Sequence, residues 1–309
     1  SKLGAVISPI PVQYGSHELQ LISDTLDARA LLTLPRFREQ ALGENARAAL
    51  PGVKVLELGA DLLLDINDDT ESAAEAAYKF RPAHQDPNRI LSICWTSGTT
   101  GTPKGVPRSH NMWLATARTT MAAGAYRDTD VLLNPFPLVN MAGLGGFLFP
   151  AALSGCAVVL HHPLDPTVFL QQMQNESISF TIAPPALLNQ LAASEALWKQ
   201  FDFSALRRIG SGSAPLSPDM IETFSQNYGK EVVNFYGSNE GISLFATPES
   251  APNPGMRASM FQAPAIGADI QTRLADPQTG ESVVDPGQPG ELLISGATVF
   301  DGYYNTDNS

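Results

Sequence analysis

Hydroxyl, glycine and lysine side chains are concentrated in one short segment of the sequence. This segment, Thr96-Ser97-Gly98-Thr99-Thr100-Gly101-Thr102-Pro103-Lys104-Gly105, follows an apolar run at residues 90–95 that has the composition of a buried strand. Glycines let a backbone approach an anion closely. Hydroxyls and backbone N–H groups donate hydrogen bonds to phosphate oxygens, and Lys104 adds a positive charge. The segment therefore predicts a phosphate-binding loop.

Two other interpretations of this loop have to be weighed. A segment rich in Gly, Ser and Thr also fits an ordinary flexible turn. The P-loop of kinases and GTPases requires Gly-Lys-Ser/Thr, in which the hydroxyl after the lysine holds magnesium. Here Pro103 precedes Lys104 and Gly105 follows it, so the P-loop pattern does not fit.

The loop has a close counterpart in a known family. Residues 95–105 resemble the signature loop of the adenylate-forming superfamily, which includes acyl-CoA synthetases, luciferases and peptide-synthetase adenylation domains. Further segments resemble that family in the same order along nearly the whole chain: Gly4-Ala5-Val6 with Pro9 and Pro11, Gly212-Ser213-Ala214-Pro215-Leu216, Asn234-Phe235-Tyr236-Gly237-Ser238-Asn239-Glu240-Gly241, Gly290-Glu291-Leu292-Leu293, and Gly302-Tyr303-Tyr304-Asn305. The sequence is thus identified as part of the large N-terminal domain of an acyl-CoA synthetase, an AMP-dependent acid–thiol ligase.

The resemblance implies a nucleotide site for ATP and AMP. Tyr236 is expected to stack on the adenine, because aromatic rings stack well on flat rings, and Asn234 to hydrogen-bond the adenine amino group. The other nucleotide-binding residues that the resemblance implies are Thr96, Ser97, Gly98, Thr99, Thr100, Gly101, Ser213, Ala214, Pro215, Phe235, Gly237 and Asn239.

Two residues are expected to carry the catalysis. Lys104 would neutralise phosphate charge, and Glu240 would bind Mg²⁺, since a hard cation prefers carboxylate oxygen and bridges to phosphates. The acyl pocket is expected at Asn140, Met141, Gly212 and Ser238. Small residues at Gly210, Ser211, Gly212 and Gly237 would leave room there for an apolar acyl group.

Two positions depart from the pattern of the family. The family usually has Thr at the position of Asn239, where it contacts the α-phosphate. Its acyl-CoA synthetases often carry a His at the position of Asn140, beside the acyl group, where the His gates entry of the thiol. Asn239 is expected to change the geometry around the α-phosphate. Asn140 leaves the step that transfers the acyl group to the thiol without the His that relatives use there.

The implied reaction joins a carboxylic acid to AMP, releases pyrophosphate, and passes the acyl group to coenzyme A. Adenylation domains that take amino acids usually place an Asp near residues 136–140, and no acidic residue occurs there. An ordinary fatty or aromatic acid is therefore favoured. A module that loads a carrier protein and a non-catalytic nucleotide-binding homologue stay open as alternatives.

Short β-rich runs alternate with helical patterns, which predicts an α/β fold with parallel-sheet layers flanked by helices. The predicted strands are 5–8, 30–33, 53–57, 90–95, 131–134, 157–160, 177–182, 208–210 and 232–236, and the predicted helices include 111–123 and 218–228. Residues 1–240 would form an α/β nucleotide- and acyl-binding region with two sheet subdomains. Residues 241–309 would form the start of a smaller β-rich subdomain, with strands at 270–274 and 291–294. The family's mobile C-terminal catalytic domain is expected to be absent, so that the segment alone would be inactive or weakly active.

Composition excludes some classes of partner. The net charge is −12 and no basic run occurs, which argues against nucleic acid. Residues 131–160 carry no charge, but prolines, glycines and asparagines interrupt them, so no membrane span is predicted. Cys94 and Cys156 lie in apolar runs and are expected to be buried, reduced thiols, which favours the cytoplasm. The sequence does not predict an oligomeric state.

Overall fold

The computed structural model describes residues 4–59, 61, 86–96, 102–261, 270–285 and 287–305. Its strands are β1 (Ala30–Thr33), β2 (Lys54–Glu57), β3 (Ile90–Thr96), β4 (Lys104–Ser109), β5 (Val131–Asn134), β6 (Ala157–Leu160), β7 (Phe180–Ile182), β8 (Arg208–Gly212), β9 (Glu231–Gly237), β10 (Ser243–Ala246), β11 (Gln271–Ala275) and β12 (Glu291–Ser295). Its α-helices are α1 (Ser16–Leu26), α2 (Leu42–Ala49), α3 (His110–Gly124), α4 (Met141–Gly143), α5 (Phe149–Ser154), α6 (Pro166–Asn175), α7 (Pro185–Ala193), α8 (Glu195–Trp198), α9 (Pro218–Gln226) and α10 (Pro254–Ser259).

A six-stranded sheet is the largest of the described sheets. Its order is β10-β9-β8-β7-β5-β6, with parallel pairing from β9 to β6 and antiparallel pairing between β10 and β9. Helices connect the parallel strands, as parallel pairing requires. The predicted α/β fold with a parallel sheet is confirmed.

Local sequence signals explain where the main helices begin. Ser109 caps α3, because its hydroxyl accepts a hydrogen bond from the backbone N–H of Met112 at 3.2 Å. Ser217 caps α9 in the same way, and Pro218 stands at the first helical position, where its missing N–H costs nothing. The helices predicted at 111–123 and 218–228 are therefore present with small shifts at their ends.

The main hydrophobic core lies between this sheet and helices α6, α7 and α9. It includes Leu133 of β5, Phe169 of α6, Leu188 of α7, Ile221 of α9 and Val232 of β9, all fully buried. Burial of each such side chain stabilises the fold by about 1.5–3 kcal/mol. This core fixes the β5, β8 and β9 ends from which the candidate site is built.

The structure differs from the sequence prediction in three places. Strand β4 was not predicted, and it pairs antiparallel with β3. The predicted strand 5–8 contributes only a bridge between Ile7 and Ser92. Strand β10 extends the six-stranded sheet, so the chain after residue 240 first returns to this sheet before β11 and β12 form their own antiparallel pair.

The uncharged stretch at 131–160 folds as strand, loop, helix and strand. A π-helical turn, Leu144–Leu148, separates α4 from α5, and Gly155 then ends α5 with a φ of 80°. No helix in the described part of the chain combines the length and apolar character that a membrane crossing needs. Cys94 and Cys156 are buried and unbridged, as predicted.

Candidate active site

The candidate site is built on loops that follow the carboxyl ends of parallel strands. Strands β5, β8 and β9 run in the same direction, so Asn134, Gly212 and Gly237 end at one edge of the sheet. In open α/β sheets this edge is where ligands bind. Of the predicted acyl residues, Asn140 and Met141 follow β5, Gly212 ends β8 and Ser238 follows β9. The predicted nucleotide residues 213–215 follow β8, and 234–237 form the last part of β9.

The pairing of β3 with β4 positions the two ends of the predicted phosphate loop. Thr96 is the register partner of Lys104, so both lie at the end of this antiparallel pair where the loop joins the two strands. The backbone N–H of Tyr304 donates to the carbonyl of Gly105 at 2.8 Å, which ties β4 to the C-terminal segment. Residues Ser97, Gly98, Thr99, Thr100 and Gly101 lie outside the described residues, and their phosphate-binding role stays a prediction.

Lys104 and Glu240 contact the same tyrosine. The ammonium nitrogen of Lys104 lies 5.0 Å from the centroid of the Tyr303 ring. The Tyr303 hydroxyl donates to Oε1 of Glu240 at 3.0 Å. Partial burial, then the hydrogen bond to Glu240 and its negative charge, raise the pKa of Tyr303 above its ordinary value. The structure thus brings together the two residues predicted to be catalytic.

Sequence reasoning gave Tyr303 no role at the site. The residue stood within Gly302-Tyr303-Tyr304-Asn305, a segment used only to support the family resemblance. Its contact with Glu240 spans 63 sequence positions, which no local pattern encodes.

The two positions that depart from the family pattern lie at one junction. Oδ1 of Asn239 accepts a hydrogen bond from the backbone N–H of Met141 at 2.9 Å, and its Nδ2 makes a longer contact of 3.4 Å with the carbonyl of Trp95. Asn140 caps α4, because its Oδ1 accepts from the backbone N–H of Gly143 at 3.2 Å. Both asparagine side chains therefore accept hydrogen bonds from backbone N–H groups of helix α4.

The predicted adenine residues Tyr236 and Asn234 differ in accessibility. The Tyr236 side chain is 42% exposed, and its ring centroid lies 5.3 Å from that of Phe261. Asn234 is only 2% exposed, and its Nδ2 donates to the carbonyls of Arg257 and Ala258 at 3.0 and 3.1 Å. Both amide hydrogens are thereby used within the protein, so only Oδ1 of Asn234 is left to accept from an adenine amino group.

A family model described as AMP-binding enzyme matches residues 1–304. The chain belongs to the AMP-binding enzyme family. The resemblance inferred from the loop and the later segments is confirmed.

Among the relatives of this chain are an indoleacetate–CoA ligase of Aromatoleum aromaticum, 28% identical, and a feruloyl-CoA synthase of an Amycolatopsis species, 27% identical. The matches cover 99% and 97% of this chain but only 58% and 57% of those proteins. The ATP-bound crystal structure of MatB from Rhodopseudomonas palustris shares the fold, with a TM-score of 0.74 at 24% identity over 98% of this chain and 57% of that one. The chain thus spans little more than half the length of these proteins.

The glycines predicted to leave room for an acyl group do not all do so. An ideal Cβ on Gly210 would lie 2.6 Å from the Phe235 ring, and one on Gly212 would lie 2.2 Å from the Phe235 carbonyl oxygen. Ser211 is fully buried. Protein atoms thus fill the space expected beside Gly210 and Gly212, and the acyl-pocket role of Gly212 stays a prediction. The glycines instead let β8 and β9 pack closely, with Phe235 filling the gap.

The remaining predicted contacts lie on the loops after β8 and β9. Ser213, Ala214 and Pro215 are exposed, and Ser213 has a φ of 64° that turns the chain out of β8. Gly237 ends β9, where an added Cβ would lie 3.2 Å from the Ile242 carbonyl oxygen. The Ser238 hydroxyl oxygen is buried and has no hydrogen-bond partner among the described residues. Such a group needs a partner, since an unsatisfied buried hydroxyl is costly.

Proposed function

We propose that the full-length protein is an AMP-forming acid–CoA ligase. The observation that carries the proposal is the cluster of Lys104, Tyr303 and Glu240 beside the loop end at Thr96, within a chain that belongs to the AMP-binding enzyme family. A cation over the ring of one tyrosine and a carboxylate on its hydroxyl suit a substrate that carries phosphates and a divalent metal ion.

In the proposed first step, a carboxylate oxygen of the acid attacks the α-phosphorus of ATP. The bond from that phosphorus to the oxygen bridging the β-phosphate breaks, and pyrophosphate leaves with the electron pair. The positive charge of Lys104 would offset the charge of the phosphates, and Tyr236 would hold the base. In the second step the thiol of coenzyme A attacks the acyl carbonyl and AMP leaves. Such chemistry depends mainly on positioning and charge neutralisation.

The residues present fit a magnesium ion shared with phosphates. No group of three or more His, Cys, Asp or Glu side chains within the described ranges could hold a metal by itself. Mg²⁺ is commonly held by one or two carboxylates together with substrate phosphates and water. Glu240 would supply the single carboxylate oxygen, and the ion would neutralise phosphate charge when bound.

The acid that we propose is an aromatic or fatty acid. The loop at 136–140, between β5 and α4, carries no acidic side chain that could pair with an amino acid's ammonium group. The two relatives named above are, by their names, ligases of aromatic acids. An aromatic acid is therefore the first choice and a fatty acid the second.

The buried free thiols Cys94 and Cys156 favour a reducing compartment, so we place the protein in the cytoplasm.

A panel of aryl and fatty acids, incubated with ATP and the full-length protein, tests the proposal. Formation of acyl-CoA with free coenzyme A is expected. Thioester formed only on a phosphopantetheinylated carrier protein would instead identify a loading module.

One observation favours a second candidate, a nucleotide-binding homologue without catalysis. The Asn239 side chain is occupied by Met141 and Trp95, at the position where the family usually binds the α-phosphate. Nucleotide binding without acyl-AMP formation from any acid of the panel would support this candidate against the ligase.

A further inference from the structure

Arg108 of β4 is a fully buried cation. Its side chain is 0% exposed, and none of the acidic side chains in the described residues forms an ion pair with it. A charge without a counter-ion is costly to bury, and burial lowers the pKa of Arg108 to about 10. A feature this costly calls for a compensating role.

Backbone carbonyls, a hydroxyl and an aromatic ring surround the guanidinium instead. Nη1 donates to the carbonyl of Thr298 at 2.6 Å, and Nη2 donates to Oγ1 of Thr116 at 2.6 Å and to the carbonyl of Met112 at 3.4 Å. The guanidinium carbon lies 4.9 Å from the Trp113 ring centroid. Nε has no partner in the part of the chain that the structure describes. The planar fork of donors thereby joins helix α3 to the segment that follows β12.

That segment holds the turn that carries Glu240. The Thr298 hydroxyl donates to the carbonyl of Gly241 at 2.8 Å, and the backbone N–H of Phe300 donates to the carbonyl of Glu240 at 2.9 Å. Nη1 of Arg108 also makes a long contact of 3.5 Å with the carbonyl of Asn239. Residues 239–241 of the turn are thus linked to Arg108 by hydrogen bonds, either directly or through the 298–300 segment.

We propose that Arg108 is a positioning residue, which fixes the Glu240 carboxylate by anchoring the segment around Thr298. Because its side chain is fully buried, Arg108 would act through these hydrogen bonds and not by contact with substrate or metal. An apolar side chain of similar size could fill the space but could not bind four separated oxygen atoms, which the rigid guanidinium fork does. The inference rests on the proposed role of Glu240 as the magnesium ligand.

The test measures metal affinity without turnover. Mn²⁺ binding to the full-length protein is followed by electron paramagnetic resonance in the presence of α,β-methylene ATP, which cannot release pyrophosphate. Arg108→Met and Thr298→Val are expected to weaken Mn²⁺ binding about tenfold and about threefold, since each frees the turn from part of its anchor. Thr298→Val keeps the carbonyl that Arg108 binds, and so reports on the anchor if Arg108→Met does not fold.

Thr116→Val is the matched control. It removes a bond to the same guanidinium on the α3 side, and is expected to lower the melting temperature while Mn²⁺ affinity stays within about twofold of wild type. Arg108→Met and Thr298→Val proteins with wild-type Mn²⁺ affinity would overturn the inference and leave the proposed function standing. So would a Thr116→Val protein weakened as much as Arg108→Met. A wild-type protein that binds no Mn²⁺ with the analogue would contradict the proposed function and, with it, this inference.

Discussion

The backbone N–H of Met141 donates a 2.9 Å hydrogen bond to Oδ1 of Asn239, which locks the loop after β5 to the loop after β9. Nδ2 of the same side chain reaches the carbonyl of Trp95 at the end of β3, at 3.4 Å. One amide therefore joins the proposed acyl loop, the turn before Glu240 and the strand that leads into the proposed phosphate loop.

Substitutions at Asn239 should separate its contribution to stability from its effect on ATP binding. Asn239→Asp keeps the acceptor for Met141 but loses the donor to the Trp95 carbonyl, so it should lose less stability than a variant that removes both contacts. Its KM for ATP should rise at least about tenfold because the new carboxylate repels phosphate. Asn239→Leu removes both contacts and should lose about 1–2 kcal/mol of stability. Urea unfolding and steady-state kinetics measure the two effects. Equal destabilisation by Asp and Leu would show that the Met141 contact does not matter.

Removal of the Tyr303 hydroxyl should affect the metal requirement selectively. Tyr303→Phe keeps the ring beside Lys104 but deletes the donor to Glu240, and a hydrogen bond to a charged group contributes about 1.5–3 kcal/mol. The Mg²⁺ concentration for half-maximal rate should rise about tenfold, with KM for the acid unchanged.

Tyr228→Phe is the control for Tyr303→Phe, because it deletes a tyrosine hydroxyl that binds the Leu191 carbonyl in the main core instead. It should leave the metal requirement unchanged. A Tyr303→Phe enzyme that needs less Mg²⁺ than wild type would mean that the tyrosine competes with the ion and does not orient its ligand.

The turn after Glu240 should tolerate only glycine. Gly241 has a φ of 114°, and a Cβ there would lie 2.1 Å from the backbone oxygen of Thr298. Gly229, after α9, has a φ of 61° and open space around it. Gly229→Ala should cost about 1 kcal/mol, from the left-handed backbone alone, and Gly241→Ala at least about 3 kcal/mol because the backbone must move as well. Comparable losses in urea unfolding would contradict this geometry.

Local sequence determined some elements and not others. Strands β5 and β6 match their predicted bounds, because short apolar runs bounded by Asp130, Gly155 and Cys156 leave little alternative. Strand β4 was missed because Gly105 and Pro107 are poor strand formers, and its pairing with β3 depends on tertiary contact.

The site shows the same limit of sequence reasoning. The sequence identifies the segments that contain Lys104 and Glu240, but it does not show that both residues contact Tyr303. Asn239 is 98 positions from Met141, and only the folded chain shows that its amide holds that loop. The space expected beside Gly210 is filled by Phe235, a residue on the neighbouring strand.

Stability should fall at alkaline pH through the Cys94 thiol. Cys94 is 1% exposed, and burial raises its pKa from 9.0 to about 11. A pKa raised on folding gives stability that is complete below pH 9 and lost as the pH rises through 11, here on the order of 2 kcal/mol. Urea unfolding at pH 8 and pH 10.5 should show a smaller decrease for Cys94→Ala than for wild type. An unchanged decrease would assign the effect to other groups.

The central claim is that Lys104 and Glu240 act together on ATP in acid activation. Exchange of pyrophosphate with ATP by the full-length protein, with its best acid, tests this claim most directly in wild type, Lys104→Ala and Glu240→Ala. Lys199→Ala is the control, since Lys199 is an exposed lysine paired with Glu195 on α8. Both site variants should lose about a hundredfold or more in exchange rate, and the control should keep the wild-type rate. Wild-type exchange by Lys104→Ala and Glu240→Ala would contradict the assignment of the site.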